Sequence, residues 1–290
     1  VFISQTSGCV RGFGLARGLG DVSTSLAVTG SFAAKGSTRN SSFGRGWQFN
    51  YEEQLSKDEN ENIIYSRGDG SSLTFQKNGN TYTPPEGYDD SLEERVVGTR
   101  TVNMGKKDKA YSVYEYTITD HSNTKRIFNE YGYLTQIIDA KGNTITLTYD
   151  ANYFLQAISS STGFTYHINC NENGNITAIQ LPDGNTLTYG YDDSENLTSF
   201  TNELGITLHY CYDDAHRMTE WYDGSGDRVV SNTYDSEDRV TRQVDANNNE
   251  CFLTYQDGKT ITTDGTGAQT IYSYDDQHRT TKITYPNGSS

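Results

Sequence analysis

Proline is nearly absent from this 290-residue chain, with four copies, and so is tryptophan, with two. Apolar residues supply only 33%, low for a globular protein. No apolar run approaches the roughly 20 residues of a membrane-crossing helix, which excludes that mode of insertion. Cations are outnumbered: 23 Lys and Arg face 38 Asp and Glu, for a net charge of -15. No basic stripe stands out, so nucleic acid is excluded as a partner, and so is charge-driven adhesion to an anionic bilayer. The same charge keeps a soluble surface monodisperse through self-repulsion. The four cysteines, Cys9, Cys170, Cys211 and Cys251, lack Cys-x-x-Cys spacing. That argues against zinc and thioredoxin-type chemistry and for free thiols. The opening residues Val-Phe-Ile-Ser lack the basic start of a signal peptide. Without an initiating Met, and with the turn signal Pro286-Asn287-Gly288 near its end, the chain reads as a piece of a longer one. Missing targeting signals therefore carry no weight.

Tyrosine and glycine are in surplus, with 22 and 28 copies. Together they favour short strands joined by tight turns. Their order shows why. An aromatic residue, followed by Asp or Asn except at Tyr255 where Gln256 follows, recurs at Phe128, Tyr149, Tyr191, Tyr212, Tyr234, Tyr255 and Tyr274, with Cys170 in the aromatic place once. The spacings are 21, 21, 21, 21, 22, 21 and 19. A glycine follows fourteen places after the anchor at Gly142, Gly163, Gly184, Gly205, Gly226 and Gly288, with Asn248 as the single substitute. Asn is the side-chain-bearing residue that best tolerates a left-handed backbone. In the short repeat the glycine is Gly267, two places early, and the first turn shrinks to Asp257-Gly258, a tight hairpin signal.

Between anchors the apolar residues alternate, as in Leu187, Tyr189, Tyr191 and Leu208, Tyr210, Tyr212. Period two means strand. A second short strand carries apolar residues six and nine places past the anchor, such as Leu155 with Ile158 and Met218 with Trp221. Each unit is two strands and two turns, too little to bury a face alone but enough when stacked. The anchors are expected on the inner face, with Asp closing one turn and Gly permitting the next. Cys170 and Cys251 fall on the same apolar face, where packing is their expected role.

Candidate chemistry is sparse. Acidic clusters occupy the turns at Asp192, Asp193 and Glu195, at Asp213 and Asp214, at Asp235, Glu237 and Asp238, and at Asp275 and Asp276. None has the alternating ligands, central Gly and twelfth-position Glu of a calcium loop. Turn capping is their expected role, with no metal and no cofactor. The histidines are scattered; His216 and His278 repeat one turn position, each before an Arg. Residues 12–20, GFGLARGLG, lack the Lys-Ser/Thr of a phosphate loop and are expected to form a flexible turn. No nucleophile elbow or His-Glu-x-x-His motif is present, and no catalytic residue is assigned. Trp47 and Trp221 are the candidates for stacking on a glycan, against the alternative of core packing.

The segments FNEYGYLTQIIDAKGNTITLTYD (128–150) and NENGNITAIQLPDGNTLTYGYD (171–192) resemble the YD-repeat, or RHS-repeat, family. Upstream, SSFGRGWQFNYEEQL (41–55) is similar to the Gly-x-Gly-Trp segment ahead of such repeats, and YSRGDGSSLTF (65–75) to the Asp-Gly segment after it. The resemblance is strong over 41–290; over 1–40 it rests on one plausible strand, DVSTSLAVTGSF. It implies a large secreted or cell-surface protein, such as bacterial toxins, wall-associated polypeptides or teneurin adhesion receptors. In the family the repeats form a spiralling sheet that closes into a hollow shell, which in toxins encloses a C-terminal payload. Those members carry a self-cleaving segment containing Asp-Pro. Here the prolines are Pro84, Pro85, Pro182 and Pro286, so that segment and any payload are expected outside these residues.

The expected architecture is all-β: a spiralling antiparallel sheet of YD-repeat hairpins, part of a β-shell. The expected division is a lead-in segment over 1–50, a pre-repeat β region over 51–127 and an array of about eight units over 128–290. The expected function is structural, with the remainder of the polypeptide as partner. The alternative is an adhesion module for a cell-surface glycan or protein.

Overall fold

The computed structural model describes the backbone of all residues except 1, 7–8, 18–27, 33–39, 106–107 and 277–278. Side chains are described at Phe32 and, with the last two gaps, from residue 41 onward. No helix occurs among the described residues. The largest element is an 18-stranded antiparallel sheet whose strand order is the chain order, from Ser91–Asn103 to Thr280–Thr284. The fold-class expectation holds: alternation and turn chemistry act together along the whole array.

Hairpins of the array share one construction. The anchor pairs with the residue six places on, as Tyr149 with Leu155, Tyr212 with Met218 and Tyr234 with Val240. Just before the anchor the register shifts, because the return strand holds one residue more; between Thr148↔Ala157 and Tyr149↔Leu155, Gln156 is left over. Such a bulge sharpens the local twist. The exception is the pair Glu250–Gln256 and Lys259–Asp264, which runs to Gln256↔Lys259 without a shift around Asp257-Gly258, as the dipeptide predicts.

One sheet face is apolar. Tyr166, Ile168, Leu187, Tyr189, Leu208 and Tyr210 are buried, whereas His167, His209 and Cys211 between them are exposed. The deepest positions are two and four places before the anchor and six places after it, where Leu134, Ile176, Leu197 and Met218 are fully enclosed. Of the anchors, Phe128 is buried; Tyr149, Tyr191, Tyr212, Tyr234, Tyr255 and Tyr274 are half-buried.

The chain forms two compact units. One comprises Val1–Arg17, Thr29–Trp47 and Leu187–Ser290; the described residues of the other are Val28 and Gln48–Thr186. Long-range packing is the reason. In the first unit, Phe43 meets the ring of Tyr189 at 4.9 Å and Trp47 that of Tyr210 at 5.2 Å. In the second, Tyr65 packs on Phe128 at 5.8 Å, and the Leu55 amide donates to the Gly132 carbonyl at 2.8 Å. Residues 12–17 of the glycine-rich stretch belong to the strand Cys9–Arg17, which corrects the expectation of a flexible turn there; residues 18–20 lie outside the described residues, as does most of 21–32.

Candidate functional site

The repeated turn is where the polar residues of the array converge. Its first residue is Asp or Asn in most copies, whose carboxylate or amide oxygen accepts two backbone N–H bonds; Ser160, Leu181 and Tyr285 take that place in three others. Asp213 Oδ1 accepts from Ala215 at 3.0 Å and Arg217 at 2.9 Å; Asp235 Oδ1 accepts from Glu237 at 2.9 Å and Arg239 at 3.0 Å. Asn171 and Asn202 do the same with a neutral side chain. The fourth residue is left-handed: φ is +75° at Gly205, +62° at His216 and +63° at Asn248. The local bonds fix the loop and leave the carboxylate little freedom.

These bonds shift titration. Arg239 hydrogen bonds hold the Asp235 carboxyl below the usual carboxylate range. At Asp213 burial pushes upward, but bonds from Arg217 outweigh it and the pKa falls. Asp120 follows the same logic: burial opposes, and donors from Ser122, Thr124 and Arg126 bring it to about 2. Among the described residues, no three His, Cys, Asp or Glu side chains gather as a metal site. The acidic turns cap themselves.

The anchor hydroxyls have a role that the repeat pattern does not reveal. Tyr149 donates to the Leu134 carbonyl, Tyr212 to Leu197 and Tyr255 to Val240, each at 2.7 Å, and Tyr234 donates to Met218 at 2.5 Å. Each acceptor lies fifteen or sixteen residues back, on the preceding hairpin. The ring therefore fills the edge of the core while its hydroxyl joins one repeat to the next. Burial drives the Tyr149, Tyr212 and Tyr234 phenols well above their ordinary range. The signal in sequence was Tyr in preference to Phe at six of the eight anchors.

Cys170, which stands in an anchor place, directs its thiol at the Leu155 carbonyl, 3.6 Å away, and burial pushes its pKa to about 11. Cys170 and Cys211 are free thiols, but buried Cys251 is disulfide-bonded. The expectation of free cysteines throughout, and of a purely packing role for Cys251, is corrected there.

Neither tryptophan is available to a glycan. Trp47 is 1% exposed and Trp221 5%, because both lie on the apolar face of their strands. Trp47 Nε1 donates to the Tyr212 hydroxyl at 2.8 Å, so indole, phenol and the Leu197 carbonyl form a chain. The most enclosed ionic cluster also closes on itself: Arg126 meets Glu53 and Asp120 at 3.0 Å each, and Tyr65 donates to Glu53. His216 Nδ1 sits 3.0 Å from Asn196 Oδ1, a structural contact between turns; His278 lies outside the described residues.

The described array is a sheet of repeated hairpins with its polar groups turned back on its own backbone. Sequence comparison agrees over the later repeats, where residues 183–290 match the Teneurin YD-shell family. Residues 22–75 match a second family, described only as Domain of unknown function (DUF6531). No curated protein matches. Among solved structures, the chain is similar to a TcdB2-TccC3 complex at 12% identity, with TM-score 0.38 over 94% of this chain and 15% of that one. It is similar to a Photorhabdus luminescens Tc holotoxin pore at 10% identity, TM-score 0.37, over 79% of this chain and 15% of that one. For TcdB2-TccC3-TEV the figures are 10%, 0.33, 93% and 19%. The chain thus spans less than a fifth of the length of these relatives.

Proposed function

We propose that this chain is a non-catalytic wall segment of a secreted or cell-surface RHS/YD-repeat protein, part of a β-shell that encloses or presents the C-terminal region of the same polypeptide. One observation carries the reading: the repeat spends its chemistry on itself. Turn carboxylates accept backbone amides, and anchor hydroxyls donate to backbone carbonyls. A general acid paired with a base, or an activated nucleophile, needs such groups held ready for a substrate instead. The disulfide at Cys251 supports an extracellular setting.

Limited proteolysis of the native polypeptide tests enclosure. Sequence downstream of the wall is expected to resist protease until the sheet unfolds. Cleavage there as fast as in an unfolded peptide, or turnover of a substrate by this chain in a broad hydrolase screen, overturns the reading. Adhesion to a glycan is the weaker reading, since both tryptophans assigned to stacking are buried.

A further inference from the structure

The strands Ser91–Asn103 and Asp108–Thr119 pair from Ser91↔Thr119 to Asn103↔Asp108. Only Tyr116–Thr119 pair onward, with Lys125–Phe128. The portion beyond is a two-stranded ribbon of about eight residues per strand, roughly 25 Å long at ~3.3 Å per residue. The strand Ser91–Asn103 ends the order of the 18-stranded sheet, so among the described residues its outer backbone edge has no partner strand. Residues 95–105 are all exposed, including Val96 at 55%, Val97 at 47% and Met104 at 63%. A bare ribbon of this kind is marginal in water, and uncovered apolar side chains on it mark a contact surface.

Its charge identifies the contact. Residues 95–109 hold Arg95, Arg100, Lys106, Lys107 and Lys109 against Asp108, a net of +4; Arg95 pairs with Glu115 of the other strand at 2.7 Å and Arg100 with Glu130 at 3.1 Å, so the excess positive charge rests on the lysines. The rest of the chain therefore carries -19. We propose that the open edge of Ser91–Asn103 is a strand-addition site for an acidic, extended polypeptide segment. An unpaired edge supplies backbone donors and acceptors to an incoming strand. The register shift at Val97 and the row of cations oppose pairing with a second copy, because two basic ribbons repel. An acidic strand with alternating apolar residues instead meets opposite charge, together with Val96 and Val102. Nucleic acid and anionic lipid offer the charge but make no use of the backbone edge.

The test uses a fluorescent octapeptide that alternates Glu with Val and Thr, titrated into the chain and followed by anisotropy. Binding is expected at low salt and should weaken about tenfold or more between 50 and 300 mM salt. Hydrogen exchange should slow at residues 97–103. The triple variant K106E/K107E/K109E reverses three of the five cations; it should keep the melting curve and lose about tenfold or more in affinity. No binding, equal binding of a Lys-for-Glu octapeptide, protection elsewhere, or a preference for duplex DNA or phosphatidylserine vesicles overturns the proposal.

Discussion

The two rows of turns that bound the hairpins differ in a way that neither row shows alone. Both use the same backbone loop with a left-handed residue fourth, and most copies have an Asx acceptor first, although Ser160, Leu181 and Tyr285 hold that place in the turns of Gly163, Gly184 and Gly288. In the row fourteen places after the anchor, that residue is almost always glycine, and a Cβ built on Gly142, Gly163, Gly184, Gly205, Gly226 or Gly288 meets nothing within 4 Å. In the row four places after the anchor it is Gly132, Tyr153, Gly174, Glu195, His216 or Asp238. There the side chain has company. Tyr153 stacks on Tyr133 at 4.7 Å and 9°, His216 reaches Asn196, and Asp238 accepts from Arg217 at 3.1 Å. Each partner lies in the preceding turn. A non-glycine residue in this conformation costs about 1–2 kcal/mol, and the contact between turns offsets it. One row is loose and glycine-filled; the other is stitched.

The sharpest way to break this contrast is Gly132→Ala. Its added Cβ falls 1.9 Å from the Leu55 carbonyl oxygen, in a contact that also accepts the Leu55 amide. Backbone strain plus forced displacement should cost about 3–5 kcal/mol in a denaturant titration. Gly205→Ala, with open space, should cost only about 1–2 kcal/mol. Equal losses would mean that the two rows are not different environments.

Tyr212→Phe comes next and tests the stitching through the anchor. It removes the hydroxyl between Trp47 Nε1 and the Leu197 carbonyl, leaving both unpaired in the core, at an expected cost of about 1–3 kcal/mol. Tyr255→Phe strands the Val240 carbonyl and should cost about 1 kcal/mol. A Tyr212→Phe melt identical to the parent would show that the ring alone does the joining.

Most of the fold was legible because its rule is periodic. Alternation gave the strands, and the glycine column gave one row of turns. The second row was legible from its Asp, but its left-handed fourth residue was hidden: Tyr153, Glu195 and His216 carry side chains, so no glycine marks that backbone. Anchor burial was read from the aromatic type, but Tyr189 and Tyr210, two places earlier, are buried while the anchors Tyr191 and Tyr212 are half-buried. The bulge moves the anchor to the edge of the core, and no single residue encodes it. Burial of Trp47 depends on packing against Tyr210, 163 places later, which periodicity cannot supply. Periodicity therefore gave no sign that the two tryptophans named for stacking are buried.

A milder test addresses the loose row alone. Gly205→Val should lose about 2 kcal/mol, since a β-branched residue resists positive φ. Gly205→Asn should lose clearly less, because Asn248 holds the same turn position at +63°. If Asn proves as harmful as Val, backbone conformation is not what selects glycine there.

The smallest effect separates charge from geometry at the first residue of the stitched row. Asp213 and Asp235 titrate below their unfolded values. Their stabilisation is therefore complete above about pH 4, the unfolded carboxylate range, and is lost as pH falls through the lower folded values. Asp120, at about 2, extends that loss toward pH 2. Asp213→Asn keeps an oxygen to accept the Ala215 and Arg217 amides, as Asn171 does in its own turn for Asn173 and Asn175. Stability at pH 7 should fall by less than about 1 kcal/mol, the worth of a half-exposed ion pair with Arg217. The decline between pH 4 and 2 should become shallower. An acid profile unchanged by the substitution would place the carboxylate's role in its shape, and would explain why the array uses Asp and Asn interchangeably at this position.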